Sequence, residues 1–229
     1  MTQRLAVFAS GGGSNLQALL DSFGPTSSVR VALVVSDRPS AGALERARNA
    51  GIALQVVPVA DRPANDVARD TIALLERENI DLVALAGYIR LVPAAVVARF
   101  RGRMVNVHPA LLPAFGGQGM YGMRVHRAVL AAGCRVSGPT VHHVDEDYDR
   151  GRIIAQWPVP VLPDDSPERL AARVLRVEHA LYPLAIELLA RSAAGPPGAA
   201  PNPAPFHTFT ATRHDVPDTA VMRRALGLD

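Results

Sequence analysis

Hydrophobic positions along this chain follow two alternating rhythms. Short apolar, β-branched runs at residues 4–9, 29–36, 53–58, 81–86 and 103–107 read as strands. Between them, apolar residues recur at helical spacing. One helix opens at 16–20, and others cover 41–50, 63–79 and 93–100. Gly51 closes the second of these, and Pro93 sits in the first turn of the fourth. Val67, Ile72, Leu74 and Leu75 form the apolar positions of the long third helix. The run at 81–86 is almost wholly apolar, as expected of a strand covered on both faces. This alternation predicts an α/β fold, a doubly wound and mostly parallel sheet.

The rhythm changes after residue 110. Residues 115–123 are a glycine-rich loop and 124–132 a helix. Residues 136–144 and 152–161 read as an antiparallel strand pair joined through 145–151. A long helix covers 166–191, with Ser166 as N-cap and Pro167 at its first position. From residue 192 the composition turns to Pro, Ala and Gly. The expected organisation is a folded domain over 1–191, then a linker and tail over 192–229. The tail is expected to be dispensable, because residues 195–205 are too rich in Pro, Gly and Ala to pack.

Composition narrows the class. At 48% hydrophobic and 20% charged residues the chain is an ordinary globular sequence. No run approaches the roughly 20 apolar residues that span a bilayer, and 4–9 is too short for a signal peptide. The expectation is a cytoplasmic protein with no membrane partner. Cys134 is the one cysteine, which excludes an internal disulfide and a Cys-rich zinc site. All 24 basic residues are arginine. A P-loop lysine, a Schiff-base lysine and a lysine general base are therefore excluded. Net charge is +3 and the arginines are dispersed, so nothing resembles a nucleic-acid stripe.

Four stretches carry candidate chemistry. Asn106 and His108 lie two apart at a strand end that Pro109 must terminate, so both side chains leave on one face at the strand tip. Open α/β sheets place their ligand crevice at such tips. An amide there can donate to an oxyanion, and an imidazole can move a proton near neutral pH. The bland alternative is a pair that only caps a turn. Residues 10–15, Ser-Gly-Gly-Gly-Ser-Asn, put backbone N–H groups at a helix N-terminus, where a phosphate fits. A dinucleotide loop is the rival: Gly11 and Gly13 suit it and Asp37 stands where a ribose ligand belongs, but Leu16 occupies the third glycine position. Ile89, Leu91 and Val92, after the fourth strand, can wall a pocket for a flat heteroaromatic ligand or simply pack on the next helix. His142 and His143 face opposite ways on a strand before an acidic turn with Asp145, Glu146, Asp147 and Asp149. That turn lacks the EF-hand pattern. One of its carboxylates placed against His108 would fix the ring's tautomer and raise its pKa.

Taken in order and spacing, residues 10–15, 86–91, 106–113, 145–151 and 177–183 resemble the 10-formyltetrahydrofolate-dependent phosphoribosylglycinamide formyltransferases of purine biosynthesis. The resemblance covers about residues 4–190. It implies a formyltransferase fold and the transfer of a formyl group from 10-formyltetrahydrofolate to the amine of 5-phosphoribosylglycinamide, with no metal. It implies roles for Asn106, His108 and Asp149 in catalysis. It further implies that Gly11, Gly12, Gly13, Ser14 and Asn15 bind the substrate phosphate and Glu178 its amine end. On the folate side it implies Arg62, Ile89, Arg90, Leu91, Val92, Asn106, Asp145, Glu146, Asp147, Tyr148 and Asp149, with Arg69 the alternative to Arg62 for the folate glutamate. The loop 115–124 is longer than in short family members, and the Pro-rich tail has no family counterpart. Methionyl-tRNA formyltransferase is disfavoured, because 192–229 cannot supply its basic C-terminal domain. Formyltetrahydrofolate deformylase carries an extra N-terminal domain, whereas here the first strand starts at Arg4. A nicotinamide oxidoreductase and an inactive binding module complete the rival readings. The sequence permits a homodimer without specifying one.

Overall fold

The computed structural model describes residues 2–193 and 218–228, the side chains of 192 and 193 excepted. Its contacts gather the chain into two units, residues 1–106 with 143–147, and residues 107–142 with those from 148 onward. The main sheet has the strand order β3-β2-β1-β4-β5-β7-β8, and β6 pairs separately with β9.

The first unit holds β1 (Gln3–Phe8), α1 (Ser14–Ser22), β2 (Val29–Ser36), α2 (Gly42–Asn49), β3 (Ala53–Val56), α3 (Ala64–Arg77), β4 (Leu82–Leu85) and α4 (Ala94–Arg99). It also holds the first part of β5 (Met104–His108). Its strand pairs β1–β2, β2–β3, β1–β4 and β4–β5 are all parallel. Every residue of β4 is buried, as its unbroken apolar run requires. Phe8, Leu33, Val35, Leu75, Val83, Val96, Phe100 and Met104 form the core between sheet and helices. The chain runs outward from β1 through β2 to β3, then returns to β4 on the other side of β1. The switch point therefore lies between β1 and β4, where such sheets bind ligands beyond the strand ends.

The second unit holds α5 (Met123–Ala131), β6 (Val136–Ser137), β7 (Thr140–His143) except its last residue, β8 (Ile153–Gln156), β9 (Val159–Pro160), α6 (Pro167–Ala193) and α7 (Thr219–Ala225). The expected antiparallel pair is present, but each of its strands is broken in two: β7 pairs with β8 and β6 with β9. The break falls at Gly138-Pro139 on one strand and Trp157-Pro158 on the other, where the prolines have no N–H to donate to the ladder. Gly138 has φ +141°, and a Cβ there would lie 1.9 Å from the Trp157 carbonyl oxygen, ahead of Pro158. The long helix begins as expected, with the Arg169 N–H donating to the Ser166 hydroxyl at 3.3 Å and Pro167 as its first residue. It carries Pro183 in its interior.

The expectation that residues 195–205 do not pack falls outside the described residues. Residues 194–217 lie outside the described residues, but 218–228 form α7 and the turn after it. Met222 is fully buried and Leu228 nearly so, in a cluster with Val129, Val159, Leu170, Val174, Val177 and Leu184. Leu226, partly buried, packs against the same cluster.

Candidate active site

In the first unit, the turn from β1 to α1 carries the candidate cradle of residues 10–15. Gly11 and Gly12 are exposed, Gly13 is the N-cap of α1, Ser14 is its first residue, and Asn15 is buried. Gly13 must be glycine twice over. Its φ is +74°, and a Cβ would meet Ala43 at 2.8 Å. At Gly11 and Gly12, by contrast, a Cβ would meet nothing within 4 Å, so open space stands at the helix mouth. Arg46, which sequence reasoning did not single out, braces the turn. Its Nε donates to the Gly12 carbonyl at 2.8 Å and its guanidinium to Gln17 at 3.1 Å. The Ala43 N–H donates to the Gly11 carbonyl at 3.0 Å. With these carbonyls occupied behind the turn, the leading amides of α1 remain for an anion.

The loop after β4 is laced to this cradle. The Ser10 N–H donates to the Gly87 carbonyl at 3.2 Å, and the Ser10 hydroxyl accepts the Ile89 N–H at 3.2 Å. Asp37 is held by Arg38 at 3.1 Å and by Arg90 at 3.3 Å, with its side chain only 3% exposed. Burial opposes its charge, but the Ser10 hydroxyl and the two arginines hold its carboxyl below the ordinary range. Asp37 thus serves the cradle and is not open to a ribose, which removes the main support for a nicotinamide site. Ile89 and Leu91 stand exposed, as expected of pocket walls. Val92 does not: it is 4% exposed and joins the core with Val96 and Phe100, because Pro93 starts α4 directly after it.

Arg62 pairs with Asp70 and donates to the Pro58 carbonyl at 3.1 Å, while Arg69 pairs with Asp66 at 2.9 Å and reaches the same Asp70 at 3.5 Å. In the acidic turn, Asp145 accepts the Asp147 N–H at 3.2 Å and Glu146 lies 3.6 Å from Arg101. Asn106 is half-buried on β5.

The second unit contains the titratable centre. His108, the last residue of β5, has a side chain 4% exposed. Its Nδ1 lies 3.4 Å from Asp149 Oδ2, and its Nε2 2.9 Å from the Phe115 carbonyl oxygen. A carbonyl only accepts, so Nε2 carries the hydrogen and donates. The backbone of Phe115 fixes the tautomer, not the carboxylate as the sequence suggested. Asp149 is also shared more widely than expected. Its Oδ1 lies 3.5 Å from His142 Nε2, and its Oδ2 accepts the Gly117 N–H at 2.9 Å. His142, missed as a site residue, is signalled only by its alternate-face position beside His143.

The segment between His108 and Gly117 is held closely. The Thr140 hydroxyl donates to the Ala110 carbonyl at 2.6 Å and accepts the Leu112 N–H at 3.0 Å. Gln156 donates to both the Leu112 carbonyl and the Thr140 hydroxyl at 2.9 Å. Phe115 adopts φ +56°, an uncommon conformation for a bulky residue. A Cβ on Gly116 would meet Leu112 at 2.5 Å and Asp149 at 3.1 Å.

Burial sets the charge state. It pushes His108 below the ordinary 6.5, although the Asp149 charge and the Phe115 carbonyl pull it upward. The expectation of a ring held cationic by its carboxylate is therefore corrected: desolvation wins, and the resting imidazole is neutral near pH 7. Burial opposes the Asp149 charge as well. Yet the hydrogen bond with His142, the charge of His108 and the Gly117 N–H keep its carboxyl below its usual value. His126, on α5, is a second missed residue. It is 4% exposed, and its Nδ1 has no hydrogen-bond partner among the described residues. Burial and the charge of His108 push it down to about 4. Glu178 is buried on α6, one turn before the fully buried Tyr182. The Tyr182 hydroxyl is pushed well up by burial and by the Glu178 charge.

The first unit thus presents an open glycine turn at a helix mouth, and the second a buried imidazole 3.4 Å from a carboxylate. The chain belongs to the formyl transferase family, whose model matches residues 3–186. It is 47% identical over 183 residues to the chloroplastic phosphoribosylglycinamide formyltransferase of Arabidopsis thaliana, a match covering 79% of this chain and 63% of that protein. The chain thus spans less than two thirds of that relative's length. Among solved structures it is similar to glycinamide ribonucleotide transformylase 1 from Symbiobacterium toebii, at 42% identity and TM-score 0.77, over 83% of this chain and 88% of that one. It is also similar to phosphoribosylglycinamide formyltransferase from Brucella melitensis, at 41% identity and TM-score 0.76, over 87% of this chain and 100% of that one.

Proposed function

We propose that this protein transfers the formyl group of 10-formyltetrahydrofolate to the amine of 5-phosphoribosylglycinamide. The observation that carries the reading is the His108–Asp149 pair with its ring fixed by the Phe115 carbonyl, in a chain of this family. The relatives' names supply the acceptor, phosphoribosylglycinamide, and the family implies the folate donor.

The chemistry follows from the residues. The glycinamide nitrogen attacks the formyl carbon, and negative charge develops on the formyl oxygen. The Asn106 amide donates to that oxygen, an effect worth about 3 kcal/mol per donor. The neutral His108 takes the proton that the attacking amine sheds, at Nδ1. The resulting imidazolium is stabilised by the Asp149 carboxylate 3.4 Å away. When the bond from the formyl carbon to the folate nitrogen breaks, that proton passes to the departing nitrogen. A resting pKa below 6.5 suits the accepting role, and the carboxylate suits the charged intermediate.

In this reading the amides of Gly11–Asn15 hold the substrate phosphate and Glu178 its amine end. Ile89, Arg90 and Leu91 border the pterin together with the acidic turn from Asp145 to Asp149. Arg62 or Arg69 meets the folate glutamate.

The test is an absorbance assay with 10-formyltetrahydrofolate, with and without 5-phosphoribosylglycinamide. Turnover that requires the nucleotide supports the transfer. Turnover at the same rate without it would mean hydrolysis by a deformylase instead.

A further inference from the structure

The formyl transferase match ends at residue 186, and a solved relative matched over its whole length covers only 87% of this chain. The element docked on the far half of α6 therefore lies beyond what the family shares. Asp218 caps α7 by accepting the Ala220 N–H at 2.9 Å. Met222, at 0% exposure, and Leu228, at 2%, enter an apolar cluster that includes Val129 of α5 and Val174, Val177 and Leu184 of α6. Polar contacts close the edge. Arg223 grips Glu187 with both terminal nitrogens, at 2.9 and 3.3 Å, and Arg191 donates to the same carboxylate at 2.8 Å. The Leu228 carbonyl accepts from Arg223 at 3.0 Å and from Arg191 at 3.1 Å. Burial disfavours the Glu187 charge, but the two arginines more than offset this and hold its carboxyl low.

Pro183 divides α6. A proline inside a helix removes one backbone hydrogen bond and weakens the link between the turns on either side. Glu178 lies before that break, and Glu187 and Arg191 after it. The cluster that Met222 and Leu228 enter spans the break, since Val177, the neighbour of Glu178, and Leu184 both belong to it.

We propose that the α5–α6 face is a peptide-docking groove whose occupant is this chain's own residues 218–228, a tethered ligand that splints α6 across Pro183 and so sets the position of Glu178. The role assigned to Glu178 rests on the function proposed above. The splint itself does not. Docking then tightens nucleotide binding and leaves the chemical step alone. By linkage, the nucleotide must tighten docking by the same factor.

The experiment uses the chain truncated after Ala193, a length that whole solved relatives match, and a synthetic peptide of residues 216–229. Calorimetry should show saturable one-to-one binding of the peptide. Binding should raise the Tm of the truncated protein toward that of the full chain. The KM for 5-phosphoribosylglycinamide should rise about fivefold on truncation, fall back on adding peptide, and leave kcat within twofold. Glu187→Gln in the truncated chain should weaken the peptide by about tenfold, because a charge-assisted pair is lost. In the full chain, Met222→Ser with Leu228→Ser should reproduce the KM effect without truncation, should the truncated chain fail to fold. Absence of peptide binding, or a double variant with unchanged Tm and KM, overturns the proposal. So does a full-length dimer that disappears on truncation, which would place the segment on a second copy. If the protein lacked transferase activity altogether, the peptide-binding and Tm arms would still test the splint.

Discussion

The Phe115 carbonyl oxygen lies 2.9 Å from His108 Nε2, and this contact decides which ring nitrogen titrates. Nε2 keeps its hydrogen in both charge states, so Nδ1 is the atom that gains and loses a proton. It does so 3.4 Å from the Asp149 carboxylate.

Asp149→Asn should therefore lower the His108 titration further. The variant removes the charge that pulls the pKa upward, and an amide donates to the Nδ1 lone pair and stabilises the neutral ring. Nitrogen-detected NMR should show the Nε2–H tautomer persisting while the titration moves to lower pH. Turnover should fall on the order of a hundredfold, as when one stabilising group of an oxyanion site is removed. Asp145→Asn and Asp147→Asn should be mild, since Asp145 only turns the backbone at Asp147. Near-normal turnover in Asp149→Asn would remove this carboxylate from the mechanism.

The cradle gives a paired prediction. Gly12→Val should fold normally, because its Cβ enters open space, yet lose nucleotide binding while retaining folate binding. Gly13→Ala should lower stability instead, since its Cβ meets Ala43 at 2.8 Å on a left-handed backbone. Calorimetry with each ligand and a melting curve separate the two. Equal loss of both ligands in Gly12→Val would point to a collapsed turn.

His126 makes the fold acid-sensitive. Its pKa is held at about 4 in the native protein, against 6.5 for an ordinary histidine. As pH falls below 6.5 the unfolded chain takes up the proton first, and stability declines until about pH 4. The loss amounts to roughly 3 kcal/mol when complete. His108 adds to it with the same sign. His126→Gln should flatten the decline between pH 6.5 and 4, measured by urea unfolding. An unchanged pH profile would show that His126 is charged in the native state.

Thr140 is the fastening of the segment that carries Phe115. Thr140→Val leaves the Leu112 N–H and the Ala110 carbonyl without their buried partner. The cost should be about 2 kcal/mol, or a Tm lower by about 5 °C. Turnover should fall more than substrate binding, because the Phe115 carbonyl loses its placement. A variant with normal turnover would mean that the Gln156 contact to Leu112 is enough.

The periodic part of this chain was legible in its sequence because each strand of the first unit is a contiguous apolar run paired in parallel with its neighbours. The cradle was legible for a related reason, since consecutive glycines leave little else for a strand-to-helix turn to do. The charge of His108 was not. A carboxylate partner can be inferred from a motif, but the depth of burial that outweighs it is a tertiary quantity. His126 was missed because a histidine in a helix gives no signal until its neighbours are in place, and His142, though singled out on its strand, could not be tied to Asp149 for the same reason. The C-terminal helix was missed because Met222 and Leu228 are too few to create a period. The need for glycine at 138 was also invisible, as it comes from a carbonyl nineteen residues away along the chain, that of Trp157.

In the proposed function the cradle holds its phosphate with main-chain amides, and that has a practical reach. Amine-directed reagents such as succinimidyl esters, acetyl donors and lysine cross-linkers find no lysine side chain anywhere in these 229 residues. The backbone N–H groups at the mouth of α1 are inert to all of them. Fluorophores or surfaces coupled through amines must then attach outside the described site, leaving the phosphate grip chemically untouched.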